Sequence, residues 1–151
     1  MRLTLRALTI AAALLAAGAT AETLDDDRAA FELRDDAMRQ LGRNIYLRIG
    51  QVVQGRAPYG PDTVSAAEAA NRLIDTLPTL FPPGSDVPPS RMRTELLAHE
   101  RDRDQLIAAV QIAATGLVAA VKSGDKASMA RAFTAINDAC AACHTKYRNE
   151  N

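Results

Sequence analysis

"CAACHTKYR", residues 140–148, is the stretch on which the reading of this chain turns. The sequence holds only two cysteines and two histidines, and three of those four residues fall between Cys140 and His144. On a helix, Cys140 and Cys143 lie one turn apart on one face, and His144 projects beside them four residues after Cys140. That face runs back through Ile136, Phe133 and Met129, so both thiols continue an apolar stripe that points into a core.

Two thiols on one helix face can add to the two vinyl groups at the edge of a haem, and an imidazole one turn on can meet the iron. Cys-x-x-Cys-His is the attachment signature of c-type haem. Other chemistries fit less well. A thioredoxin-like redox pair sits in an α/β pattern, and this chain offers no strand signals. Zinc needs a fourth ligand, and the only other histidine is His99. A disulfide between cysteines at this helical spacing is strained. Two buried structural thiols beside a chance histidine are the bland alternative. The signature favours one haem c, held covalently through Cys140 and Cys143 with His144 on the metal.

Working outward, the remaining chain reads as helix. Phe31, Met38, Leu41, Ile45, Ile49 and Val52 recur at helical spacing after Asp25–Asp27, whose charges suit a helix start. Gly55 and Pro58 stop this helix. A second begins near Asp62 with Val64, Ala67, Ile74, Leu77 and Leu80 inward, and Pro78 should bend or fray its end. "FPPGSDVPPS", residues 81–90, is the longest loop. A third helix is expected from about Ser90 to Ser123, with "HERDRDQ" as a solvated charged run and Ile107, Val110, Ala114, Leu117 and Val121 inward. Gly124 ends it, and Asp125 is a good N-cap for the fourth helix. The expected fold is all-α, an antiparallel four-helix bundle around a covalently bound haem. With few aromatic residues, the bundle is short of large filler, which suits a flat cofactor.

Residues 1–21 read as a secretory signal: a cationic "MRLTLR", an apolar run, and a small-residue site before Glu22. Residues 22–151 are then one exported monohaem domain, too short for two domains. Without Arg2 and Arg6, the 18 basic residues fall to 16 against 18 acidic ones, a net charge of −2. That balance argues against nucleic acid as a partner. The apolar run at the start is short for a membrane span, so no stable membrane insertion is expected.

The chain resembles the class II cytochromes c, the family of cytochrome c′ and its low-spin relatives. The resemblance spans the mature chain. "CAACHTKYR" is similar to the family's Cys-x-x-Cys-His-x-x-aromatic-Arg ending, and "ELRDDAMRQLGRN" to its first helix. "GRAPYG" is similar to its first turn, and "LFPPGSD" to the loop before its third helix. Carried over, the resemblance implies thioether tethers at Cys140 and Cys143 and an axial ligand at His144. It places Arg148 beside the proximal face of the haem, Arg34 near its propionates, and Met38 at the first-helix position facing the iron. Many members have a tryptophan early in the third helix, where this chain has "TELLAHE".

Met38 then decides the function. As an iron ligand opposite His144, its thioether would close the sixth position and raise the potential, which suits electron transfer. As apolar filler, the commoner role of a lone methionine on a helix face, it would leave an open site. "AMRQLGRN" resembles the low-spin members more. Among competitors, Met129 shares a helix with His144, Met92 needs the proline-rich loop to fold inward, and His99 sits in the charged run. The expectation is therefore a periplasmic electron carrier, not an enzyme, with His144 and Met38 as metal ligands and periplasmic redox proteins as partners. The alternative is a five-coordinate cytochrome c′ that binds nitric oxide or carbon monoxide. A homodimer is possible.

Overall fold

The computed structural model describes residues 25–150. The signal expected at residues 1–21 lies outside the described residues. Helix α1 spans residues 25–53, with a π-helical segment at Arg43–Ile49 and a final α-turn at Gly50–Val53. Helix α2 is Pro61–Asp75, α3 is Glu100–Ser123 and α4 is Lys126–Tyr147. Each helix packs on the next in chain order, and the end of α1 packs on α4, which closes the bundle.

The buried face of α1 steps through Ala37, Leu41, Ile45 and Ile49 in units of four. An α-helix turns once in about 3.6 residues, so each such step drifts about 40° round the axis. The π segment widens the turn, with the Gly50 N–H bonded to the Ile45 carbonyl, and keeps Ile45 and Ile49 on the face of Leu41. Gly50 sits where α1 meets α4. A Cβ there would stand 3.0 Å from Cζ of Phe133, so glycine permits the approach. On the outer face, Arg28 pairs with Glu32 at 2.9 Å and Arg39 with Asp35 at 3.0 Å.

Gly55, at φ 71°, turns the chain out of α1. Pro61 opens α2, and the Thr63 hydroxyl accepts the Gly60 N–H at 3.2 Å. The face expected for α2 is present through Ile74, but the helix stops at Asp75. Of the two outcomes expected at Pro78, bending or fraying, the end frays: Pro78 lies in the separate 3-10 turn Leu77–Thr79.

The expected third helix also differs. After the loop comes a one-turn helix, Glu95–Ala98, and α3 begins only at Glu100. The segment before it is held by nonlocal bonds. Arg93 N–H donates to the Tyr147 carbonyl at 2.9 Å, and Asn149 N–H to the Arg91 carbonyl at 2.8 Å. Met92 and Arg148 thus form an isolated antiparallel bridge, and no strand occurs among the described residues. The carboxylates Glu100 and Asp102 occupy the first turn of α3, where the helix dipole favours them.

Gly124 caps α3 at φ 70°, and the Asp125 side chain caps α4 by accepting the Ser128 N–H at 2.7 Å. The Tyr59 hydroxyl crosses from the first loop to the Val121 carbonyl at 2.8 Å. Helix α3 is long and apolar enough to cross a bilayer, yet Val110, Ala114, Leu117 and Val121 bury its inner face between α2 and α4. Away from the cavity described next, Ile49, Ile74, Leu117, Val121, Met129 and Ile136 lie fully buried in the interior.

Candidate functional site

At the other end the bundle does not close. A cavity of about 630 Å³ opens among α1, the proline-rich loop, α3 and α4. Such a volume suits one small-molecule or cofactor ligand. Helix α4 lines it with Cys140, Cys143, His144 and Tyr147, and Arg148 follows at the end of that helix. Helix α1 lines it with Phe31, Arg34, Met38, Leu41 and Ile45, and Ile107 and Val110 of α3 add to its apolar wall. Cys140, Cys143, His144, Met38, Arg34 and Arg148 therefore line one cavity, whereas His99 and Met129 do not.

Both cysteines are free and half-buried. Burial pushes the Cys140 thiol up to about 11, and the neighbouring Cys143 adds to the shift. Cys143 is raised as well, by burial first and then by Asp102. A nucleophilic redox cysteine needs the opposite shift, because the thiolate is the reactive species. His144 stays accessible along the cavity while protein hems it in. Loss of water and then the charge of Arg91 lower its pKa, which leaves a neutral imidazole with a free lone pair at pH 7. Among the described residues no cluster of three or more His, Cys, Asp or Glu could hold a bare metal ion. Two protonated thiols, a neutral imidazole and an apolar chamber fit a metal that arrives within a porphyrin.

Arg34 is 6 % exposed, and its donors turn toward the loop. Nη1 donates to the Leu80 carbonyl and the Ser85 hydroxyl, both at 2.9 Å, and Nη2 to the Ser85 carbonyl at 2.6 Å. Its guanidinium also lies 5.6 Å from the Phe81 ring centroid. Burial lowers its pKa, opposed by Asp86 and Asp35, and the residue stays cationic. Ser85 is completely buried, and nothing in the local sequence marks it as Arg34's partner. Arg148 caps α4, its N–H bonded to the His144 carbonyl at 3.0 Å. The loop does fold inward: Met92 and the buried Leu96 both line the cavity. His99 is exposed, with Nδ1 3.4 Å from the Tyr147 hydroxyl. That hydroxyl donates to Asp102, which also pairs with Lys146 at 2.9 Å. A smaller cleft of about 380 Å³ lies among these groups, and Tyr147 lines both spaces.

Fold and site together define a four-helix bundle that carries a c-type haem. The sequence profile of the Cytochrome C′ family matches residues 29–148, and the chain belongs to that family. It is 26% identical over 118 residues to the cytochrome c′ of Pararhodospirillum photometricum, covering 78% of this chain and 94% of the relative. Among solved structures it is similar to a ferrous variant of Alcaligenes xylosoxidans cytochrome c prime with bound NO. That match has a TM-score of 0.76 and 25% identity, over 83% of this chain and 97% of the other. A carbon monoxide-bound variant of the same protein gives a TM-score of 0.74 and 28% identity, over 82% of this chain and 97% of the other.

These relatives correct the expectation of a low-spin electron carrier with Met38 on the iron. The curated relative is a cytochrome c′, and the two solved relatives hold nitric oxide and carbon monoxide. The packing of Met38 is in keeping with them. The residue is half-buried and packs against the hydrophobic core, so its thioether is part of the apolar wall.

Proposed function

We propose that this chain is an exported, periplasmic gas-binding protein whose haem iron has one protein ligand, His144, and an open side for nitric oxide or carbon monoxide. Cys140 and Cys143 are the tethers. The observation that carries the reading is the makeup of the cavity: α4 brings both thiols and the imidazole, whereas α1 brings Met38, Leu41 and Ile45. The gas-bound relatives support it. The haem, when bound, supplies an iron that takes a diatomic ligand.

The protein's own residues do the rest. His144 remains neutral and able to donate its lone pair because burial and Arg91 disfavour its charged form. Met38, Leu41 and Ile45 exclude water and crowd whatever enters, which selects for small uncharged ligands. Arg34, whose Nη donors are taken by Leu80 and Ser85, holds the loop containing Phe81 against the cavity and adds to its wall a positive charge that would favour haem carboxylates nearby. Arg148 belongs to the His144 side, as the capping residue of the same helix. The activity is binding rather than turnover. Pairing of two copies through the outer faces of α1 and α2 is compatible with the exposed Leu33 and Leu47.

The test is purification from a host that matures c-type haem, followed by denatured mass and a visible spectrum. A mass raised by one haem, lost in the double variant Cys140→Ala/Cys143→Ala, and a high-spin ferric spectrum are expected. A methionine-to-iron charge-transfer band in the red would overturn the proposal.

A further inference from the structure

The last turn of α4, which carries His144, is held from outside the helix on two sides. The final carbonyls of a helix have no partners within it. Here the Tyr147 carbonyl accepts from the Arg93 N–H at 2.9 Å, and the Lys146 carbonyl from Arg93 Nη1 at 3.3 Å. The side chain of Tyr147 is anchored as well. It is only 4 % exposed, and its hydroxyl donates to Asp102 in the first turn of α3. Its ring forms part of both the cavity and the outer cleft. Tyr147 lies three residues after His144, so the two side chains are neighbours on one helix surface.

We infer that Tyr147 is a positioning residue for the haem site: its bond to Asp102 fixes the last turn of α4, and with it the stance of the His144 imidazole. The inference rests on the reading of His144 as axial ligand. A hydrogen bond to an ionised carboxylate is among the stronger and more directional kinds. Helix ends fray unless tertiary contacts hold them. Groups that orient a metal's ligand tune the metal without touching it. Asp102 acts here from a different helix, so the bond sets the register of α4 against α3. Simple packing would not need the hydroxyl at all.

The test uses the full, haem-loaded protein with Tyr147→Phe, Asp102→Ala, the pair combined, and Asp102→Glu. Three quantities are read: denatured mass, the ferric electron-paramagnetic-resonance and visible signature, and hydrogen exchange at the Arg148 amide, which bonds to the His144 carbonyl. Each single variant should shift the ferric signature and speed that exchange by about tenfold. The combined variant should go no further than Asp102→Ala alone, which also loses the Lys146 pair, because the Tyr147 bond is already absent there. Asp102→Glu, which restores an acceptor, should recover most of the signature. Additive shifts in the combined variant, or a lowered melting temperature with the signature and exchange unchanged, would overturn the inference. A wild-type mass without haem would instead strike at the axial-ligand reading beneath it.

Discussion

The guanidinium of Arg34 bonds both the hydroxyl and the carbonyl of Ser85, at 2.9 and 2.6 Å, across 51 positions of sequence. This contact ties α1 to the proline-rich loop and so shapes one side of the cavity. Replacing Arg34 by Ala leaves the Leu80 and Ser85 carbonyls without their donor, and should cost about 3 kcal/mol in denaturant unfolding. Arg34→Lys should recover less than half of that, because one ammonium cannot reproduce a planar fork. Ser85→Ala keeps the carbonyl acceptor and should cost about 1 kcal/mol. If Arg34→Ala melts like the parent protein, the contact does not hold the loop.

Met38 as wall rather than ligand gives a contrary pair of expectations. Met38→Ala should leave the ferric protein high-spin, since no bond to iron is lost. It should also speed carbon monoxide association about tenfold, the factor that relief of about 1.4 kcal/mol of crowding supplies. The stability loss should be about 1–2 kcal/mol, below that of a fully buried methionine. Stopped-flow mixing with the gas and a thermal melt measure the two. A change of spin state in this variant would return Met38 to the iron.

The raised thiols make a pH prediction for the chain produced without haem. Cys140 should alkylate slowly at pH 8 and faster only as pH approaches its folded value of about 11. In urea it should react as an ordinary thiol, near the reference value of 9.0. The sign follows from linkage: the folded pKa lies above the unfolded one, so the associated stability is present below pH 9 and is lost as pH rises toward 11. Iodoacetamide labelling followed by mass measurement checks the rates. Equal rates in buffer and urea would mean that the thiol is not buried in the folded chain.

At the start of α4, Asp125 carries the opposite sign. Its hydrogen bonds to Ser128 hold its pKa below the ordinary 3.8. Its contribution to stability is therefore present above pH 3.8 and lost as pH falls through the lower folded value. Asp125→Ala should melt below the parent at pH 7, and the gap should close in acid. A gap that is constant across that range would show that the charge plays no part in the cap.

Much of this architecture was legible along the chain because it depends on neighbours three and four residues apart. The α3 and α4 stripes, the Asp125 cap and the Cys140–His144 cluster are all local. The parts that differed depend on partners far away. Helix α3 starts at Glu100 instead of near Ser90 because Arg93 pairs with the backbone at the end of α4 and Arg91 with the backbone just beyond it. Arg34 finds Ser85 only once the loop is folded, and the same folding brings Met92 to the cavity. The π segment left a trace in the four-residue steps from Ala37 to Ile49, but periodicity alone does not separate a wide turn from a drifting stripe. Met38 carried the corrected reading. A thioether on an inward face has the same sequence signature as a ligand and as filler, and the gas-bound relatives, not the local pattern, turn the reading toward filler.

The most direct test of the account is carbon monoxide added to the reduced, haem-loaded protein, followed by its visible spectrum. An iron held by His144 alone should pass from a broad high-spin Soret band to the sharp band of a carbonyl complex, and the change should saturate. A reduced protein that already shows a sharp low-spin spectrum and does not respond to the gas would mean that a second side chain closes the iron, contrary to this account.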